Sequence, residues 1–262
     1  MSLIVIKDFA VGYQEDAKTT STVCGDTKRP SKIVNGYQAW EGEIPHQVSL
    51  RIFGQHICGG SIISPLHILT AAHCVVDDRK NLHRNMVVLS GTNDRYSLQS
   101  GQLHKVANII YHHAYNPKDN WKNDIAVLVL ERPMVFNSRQ QPIRLPSYDI
   151  PPNTRVMASG WGALTFANPS SAPQRLQKLE MSIVSNQECE RMHSNVIYPC
   201  QICVFSGAGR GVCVGDSGGP LTYQGQVFGI ASWVAPCALG YPDVFTRVYY
   251  FVPWINDIMR RY

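Results

Sequence analysis

Residues 211–220 read GVCVGDSGGP, and this stretch says more about the fold and its chemistry than any other part of the chain. Asp216 stands directly before Ser217, and two glycines and a proline follow. Paired glycines allow tight turns and a close approach of the backbone to neighbouring groups. The stretch therefore raises two questions: whether Ser217 is a nucleophile presented on a turn, and what Asp216 does beside it.

Composition narrows the class of protein. The chain has 262 residues, of which 44% are hydrophobic and 16% charged, as is typical of a soluble globular protein with one large or two small domains. Basic residues are scattered and the net charge is +5, so we expect no nucleic-acid partner. The longest clean apolar run, residues 125–130, is far shorter than the roughly 18 residues of a membrane span, so we expect no membrane partner.

Cysteine usage indicates the compartment. The 8 cysteines are dispersed along the chain, which favours disulfides and an oxidising environment, and hence a secreted protein. A C-x-x-C pair, Cys200 and Cys203, has no second pair to complete a zinc site. The sequence therefore predicts no metal and no cofactor.

The composition and patterning of the sequence change at Ile33. Residues 1–32 are polar and unpatterned, and their start lacks a basic n-region and a long apolar stretch, so we expect a leader or propeptide and hypothesise a truncated signal region. From Ile33 onward, short β-rich segments alternate with glycine, proline, asparagine and serine, which predicts an all-β sandwich or pair of barrels over 33–262. Two helices are expected, one after a Ser185 N-cap and one over residues 251–262.

Three local patterns together supply the parts of a nucleophilic site. LTAAHC ends at Cys74 just after His73, NDIAVLVL opens with Asn123 and Asp124, and GDSGGP contains Ser217. A serine hydroxyl is a poor nucleophile unless a neutral imidazole takes its proton, and a carboxylate must orient that imidazole. Backbone N–H groups on a glycine-rich turn can stabilise the negative oxygen that develops during acyl transfer.

These motifs, in the order histidine, aspartate, serine, resemble those of the chymotrypsin-like (trypsin-fold) serine proteases, and the resemblance runs from Ile33 to the C-terminus. It implies two antiparallel six-stranded β-barrels with a C-terminal helix and an active site between the barrels. It implies His73 as general base, Asp124 as its orienting acid and Ser217 as nucleophile, with the N–H groups of Gly215 and Ser217 as oxyanion hole. Protein and peptide substrates and a monomeric enzyme follow from the same resemblance.

The resemblance also gives Asp216 a separate role. The sequence SK followed by IVNG, residues 31–36, is similar to the zymogen cleavage site of the family. Cleavage after Lys32 by an activating protease would free the amine of Ile33, which is expected to form a buried ion pair with Asp216. Before cleavage, Ser49 and His56 match the positions that hold the equivalent aspartate in many zymogens. Protein inhibitors are expected as further partners.

Three disulfides are implied in the same way: Cys58–Cys74, Cys189–Cys203 and Cys213–Cys237. Cys24 and Cys200 remain, and the sequence leaves open whether they form a fourth bridge or stay as two free thiols.

The residues of the expected substrate pocket give conflicting signals about the preferred P1 side chain. Trypsin-like relatives have an aspartate six residues before the nucleophile, where this chain has Gly211. Val212 and Val234 should narrow the pocket and favour small or medium aliphatic P1 side chains, but Asp243 matches a position on the opposite wall. The alternative is a chymotrypsin-like or broad specificity that admits basic P1 residues through Asp243. The strand Ser232, Trp233 and Val234 is expected to pair with the substrate backbone.

A different functional class is also compatible with the fold. Some chains that resemble proteases only bind or regulate, and these have usually lost a member of the triad. All three residue types are present here, which favours an enzyme, specifically a serine endopeptidase.

Overall fold

The computed structural model describes residues 4–5 and 33–262, with the exception of residues 78 and 98. Lys32, Cys24 and the rest of the expected leader therefore lie outside the described residues. The strands are β1 Ile4–Val5, β2 Tyr37–Gln38, β3 Gln47–Ile52, β4 Gln55–Ile62, β5 His67–Thr70, β6 Val87–Ser90, β7 Gln102–Tyr111, β8 Ala126–Leu130, β9 Arg155–Gly160, β10 Gln177–Val184, β11 Gln201–Phe205, β12 Pro220–Tyr223, β13 Gln226–Val234 and β14 Asp243–Arg247, and the helices are α1 Asn186–His193 and α2 Val248–Arg261.

The first barrel closes from six antiparallel strands in the order β3-β4-β5-β8-β7-β6. Its most apolar strand is β8, all five residues of which are buried. β8 pairs with β5 along its length, from His67 opposite Val129 to Thr70 opposite Ala126. This pairing brings the end of β5 beside the start of β8.

The second barrel contains the strands β9 to β14. They follow the order β13-β12-β9-β10-β11-β14, and a further pairing of β13 with β14 closes the ring. β10 shows the alternation of buried positions with half-buried or exposed ones that a strand with one core-facing side requires. The predicted fold class, two antiparallel six-stranded β-barrels with a C-terminal helix, is confirmed.

The helices match their sequence signals to different degrees. α1 begins where predicted, since the Ser185 hydroxyl accepts a hydrogen bond from the Glu188 N–H at 3.1 Å. α2 begins at Val248, three residues before the predicted start at 251, so the predicted boundary was wrong. No side chain caps the N-terminus of α2. Its first turn is instead held by burial of Val248 and Phe251 in the core cluster of the first barrel. None of the described helices is long and apolar enough to span a membrane.

Three disulfides link the cysteine pairs that the resemblance implies: Cys58–Cys74, Cys189–Cys203 and Cys213–Cys237. Cys200 is a buried free thiol, and burial raises its pKa. Cys24, the other cysteine outside the three implied pairs, lies outside the described residues.

Candidate active site

The first barrel brings His73 and Asp124 together. His73 lies in a short 3-10 turn after β5, and Asp124 lies two residues before β8, so the pairing of these strands sets both side chains side by side. The His73 Nδ1–H donates to Asp124 Oδ2 at 2.7 Å, and the His73 backbone N–H donates to Oδ1 at 2.9 Å. Both carboxylate oxygens hold the same residue, which fixes the orientation of the imidazole and leaves Nε2 as the acceptor.

The second barrel adds two hydroxyl groups to the aspartate. Ser232 on β13 donates to Asp124 Oδ2 at 2.6 Å, and Thr246 on β14 donates to the backbone carbonyl of Asp124 at 2.6 Å. Sequence reasoning assigned Ser232 to substrate binding and missed Thr246 entirely. No local signal distinguishes Thr246, because its role arises only when β14 packs across the barrel interface.

Ser217 lies on a tightly bonded turn between the barrels. The Gly59 N–H on β4 donates to the Ser217 carbonyl at 2.7 Å, and the Gly218 N–H donates to Ala231 on β13 at 2.8 Å. Gly215 and Gly218 both have left-handed backbones, with φ of +94° and +73°. The turn is thus anchored to both barrels, with the Ser217 side chain buried at their junction.

The Cys58–Cys74 disulfide lies against the catalytic candidate His73, with Cys74 Sγ 3.8 Å from His73 Nε2. The three side chains fall within reach of one another in a way that resembles a metal-ligand cluster. Because both sulfurs are consumed in the disulfide, they offer no thiolate to a metal. The cluster is better explained as a covalent brace behind the imidazole.

Asp216 points away from Ser217. Its Oδ1 accepts from the Gly162 N–H at 2.7 Å and its Oδ2 from the Cys213 N–H at 2.9 Å. A side chain at Gly162 would approach within 2.3 Å of Oδ2, so this contact requires glycine. The carboxyl is fully buried, and burial raises its pKa to about 6.

The expected zymogen contact of Asp216 with Ser49 and His56 does not occur in this structure. Ser49 does bond His56, at 2.8 Å from Oγ to Nδ1, but His56 Nε2–H donates to the Gly215 carbonyl at 2.9 Å instead of to Asp216. Burial lowers the pKa of His56 to about 4, which favours the neutral ring. The Asp216 carboxylate instead accepts from the backbone N–H groups of Gly162 and Cys213.

Three of the pocket residues predicted from the sequence, Gly211, Val212 and Asp243, lie together. Asp243 Oδ2 accepts from the Val212 N–H at 2.8 Å, and a Cβ placed on Gly211 would lie 2.8 Å from the same oxygen. Val212 and Val234 are almost completely buried, at 2% and 1% exposure. Burial raises the pKa of Asp243 well above its ordinary value, and the nearby Asp216 raises it further. The acid therefore lies beside Gly211 in surroundings that disfavour its charge.

One edge of β13 carries a short extended segment. Ile4 pairs with Val234 and Val5 with Trp233, antiparallel to β13. Trp233 itself is buried, with its ring centroid 6.2 Å from that of Trp121 and 5.0 Å from that of His193. The edge expected to pair with a substrate backbone thus accepts an extended segment of this chain, a pairing that sequence reasoning did not anticipate.

Comparison with known proteins agrees with this geometry. The family model described as Trypsin matches residues 33–255. The chain belongs to the trypsin family. It is a chymotrypsin-like serine endopeptidase, and its substrates are proteins.

Relatives of this trypsin-family chain span almost the same length. "Chymotrypsin-2" of Vespa crabro is 39% identical over 228 residues, which cover 86% of this chain and 98% of that protein. "Serine protease 1" of Rattus norvegicus is 39% identical over 233 residues, covering 86% and 89%. "Brachyurin" of Leptuca pugilator is 38% identical over 231 residues, covering 86% and 97%.

The buried carboxyl of Asp216 predicts a pH-dependent stability in the uncleaved trypsin-family chain. Its pKa of about 6 in the folded state lies above the ordinary value of 3.8, so the folded state binds the proton more tightly than the unfolded state. We expect this group to lower the free energy of unfolding by about 3 kcal/mol as the pH rises from below 4 to above 6.

Urea unfolding of a Lys32→Gln chain at several pH values measures this dependence, and the same chain with Asp216→Asn is the control. The difference between the two proteins isolates Asp216, because other titrating groups are common to both. A pH dependence that is identical in both would contradict the prediction.

Proposed function

We propose that Ser217, His73 and Asp124 carry out peptide hydrolysis through an acyl-enzyme. His73 Nε2 takes the proton as Ser217 Oγ attacks the substrate carbonyl, and Asp124 stabilises the resulting imidazolium. The imidazolium then gives this proton to the leaving amine. A water molecule then attacks the acyl-enzyme carbonyl while His73 takes its proton. Return of that proton to Ser217 Oγ releases the carboxylic acid product and restores the serine. The N–H groups of Gly215 and Ser217 are the proposed donors to the oxyanion.

The single observation that supports this proposal most strongly is the pair of hydrogen bonds from His73 to Asp124. The His73 Nδ1–H donates to Oδ2 at 2.7 Å and the His73 backbone N–H donates to Oδ1 at 2.9 Å, and both residues are buried. The test is covalent labelling by a fluorophosphonate after cleavage at Lys32. Labelling of the peptide that contains Ser217, and its absence in Ser217→Ala, is the expected result. A folded, cleaved protein that is not labelled would instead favour the alternative of a non-catalytic binding or regulatory protein.

Residues 1–32 are proposed as a propeptide that is removed by cleavage after Lys32, leaving 33–262 as the peptidase domain. Two observations support this. Ile33 is fully buried in the core cluster of the second barrel, which it shares with Cys213. The Asp216 carboxyl, bonded to the Cys213 N–H, is buried without a cationic partner among the described ion pairs. A new amine on Ile33 would supply a cationic partner for this carboxylate. Removing one member of such a buried ion pair typically costs about 3–5 kcal/mol.

We propose a preference for small or medium aliphatic P1 side chains. The valines beside the pocket are buried, and the Asp243 carboxyl is turned to the Val212 N–H in surroundings that raise its pKa. An acid held in this way attracts a basic P1 side chain less than an open, ionised carboxylate does. Cleavage of a P1-varied peptide library mainly after Arg or Lys would overturn this preference.

Widening the pocket entrance gives a sharper prediction. Val234→Gly is expected to raise kcat/KM for Phe and Arg at P1 relative to Ala at P1 by at least about tenfold, since pocket misfits of this size are worth about 1–3 kcal/mol. Adding Asp243→Asn should remove the gain for Arg and leave the gain for Phe. A Val234→Gly enzyme with an unchanged P1 profile would show that Val234 does not limit the pocket.

The proposed setting of the enzyme is extracellular. The three disulfides are typical of proteins that fold in an oxidising compartment, which supports secretion. A monomer, an activating protease that cuts after Lys32 and protein inhibitors are proposed from the family alone. Mass spectrometry of intact secreted protein would test both the cleavage and the disulfides.

A further inference from the structure

A large cleft lies apart from the catalytic residues. It has a volume of about 1080 Å³ and is formed by residues 80–87 on one side and by residues 105–109 of β7 on the other. We call it the basic cleft, because the described residues that line it include three cations, Lys80, Arg84 and Lys105, and one carboxylate, that of Glu131. None of the catalytic, oxyanion or pocket residues proposed above takes part in it.

None of the ion pairs between described residues includes a cation of the basic cleft. Arg84 and Lys105 are exposed and appear in none of the ion pairs between described residues, whereas Arg155, Arg175 and Arg247 elsewhere are each paired with an acid. The Lys80 amine donates to the Tyr115 carbonyl at 2.8 Å and lies 6.0 Å from the centroid of the Tyr115 ring, and both of these contacts are with neutral groups. A cleft that concentrates uncompensated positive charge attracts anionic groups.

One wall of the basic cleft is an unpaired strand edge. β6 pairs with β7 only from Gln102 to Lys105, so in the described part of the chain β7 beyond Lys105 has a partner strand on one side alone. The His112 N–H donates to the Ile125 carbonyl, so the backbone groups of His112 face β8. In an antiparallel pair, the backbone N–H and C=O groups of successive residues point alternately toward and away from the partner strand. The amide of Ile109, three residues before His112, therefore points away from β8. Ile109 lines the cleft, so its N–H and C=O face the open side.

Apolar side chains complete the surface. Leu82, which is 47% exposed, and the half-buried Val87 and Val106 lie among the cations of the cleft. A sulfated polysaccharide would use the charges but neither the apolar contacts nor the backbone amides. An extended peptide with acidic and apolar side chains in alternation would use all three, because alternate residues of a strand face opposite sides.

We propose that the basic cleft is a docking site for an extended acidic segment of a partner protein, which adds to the free edge of β7. Arg84 and Lys105 would contact its carboxylates, while Leu82 would contact its apolar side chains. The site does not depend on the catalytic roles assigned above, and its test uses protein that cannot cleave the probe.

Binding is measured by fluorescence anisotropy on the full chain with Ser217→Ala, using a fluorescein-labelled peptide Glu-Val-Glu-Leu-Glu-Val-Glu as probe. We expect saturable binding that Arg84→Glu with Lys105→Glu weakens by at least about tenfold, since two attractive contacts become repulsive. Arg139→Glu is the matched control: Arg139 is an exposed cation outside the cleft and outside the described ion pairs, and its replacement should change affinity less than about twofold.

Three further probes separate the contributions. The same peptide with Lys in place of Glu should not bind, and the peptide with alternate amides N-methylated should lose at least as much affinity as the charge reversal, because it cannot pair with β7. Undiminished binding of the N-methylated peptide would overturn strand pairing. Binding of a sulfated hexasaccharide without binding of the peptide would overturn the proposed partner, as would equal weakening by Arg139→Glu.

Discussion

Replacement of Ser217 by alanine is expected to lower kcat of the cleaved enzyme by about 10⁶-fold, the scale on which loss of the nucleophile acts when triad members work as a unit. The reason is geometric: the turn that presents Ser217 is hydrogen-bonded to both barrels. Ser232, another hydroxyl of the site, donates to Asp124 at 2.6 Å. Steady-state hydrolysis of an Ala-P1 peptide measures the loss.

Two controls make this result decisive. Ser232→Ala removes a donor to Asp124 but keeps the nucleophile, so it should retain fluorophosphonate labelling that Ser217→Ala abolishes. Thermal unfolding should show that both variants fold, because each change deletes only one oxygen atom. Substantial activity in folded Ser217→Ala would refute the assignment of the nucleophile and with it the acyl-enzyme mechanism.

Gly218→Ala is expected to destabilise the fold by at least about 3 kcal/mol, which places it among the severe single substitutions. Gly218 has a φ of +73°, and a Cβ there would lie 2.3 Å from Thr70 Oγ1 and 2.6 Å from the Gly59 carbonyl. Thr70 cannot swing aside freely because its hydroxyl already bonds that carbonyl at 2.9 Å. The third neighbour, Cys74 Sγ at 3.1 Å, is fixed by its disulfide.

Gly54→Ala is the matched control for this prediction. Gly54 has a similar φ of +77°, but a Cβ there would meet nothing within 4 Å. It should therefore show only the penalty of a left-handed alanine, about 1 kcal/mol. Urea unfolding of both variants in the uncleaved chain gives the two free energies. Equal losses would show that backbone strain alone, and not the crowding between the barrels, makes glycine necessary at residue 218.

Much of this protein could be predicted from its sequence because the decisive signals are local. Short alternating strands bounded by turn residues indicate barrels, and the Ser185 cap marks the start of α1 within its own first turn. His73, Asp124 and Ser217 each stand in a short, distinctive motif. The start of α2 was missed because Val248 has no local helix signal, and its burial against the first barrel outweighs that absence.

The sequence by itself determined the all-β class, the residue types of the candidate triad and the turn that carries Ser217. The tertiary structure alone decided what surrounds them. Ser232 reaches Asp124 across 108 residues of chain, Asp216 accepts from Gly162 across 54, and the free edge of β7 exists only because its pairing with β6 stops at Lys105. Such contacts join segments that are far apart in the chain, and nothing in their sequence indicates that they are close in space. Only the closing of the two barrels brings them within hydrogen-bonding reach.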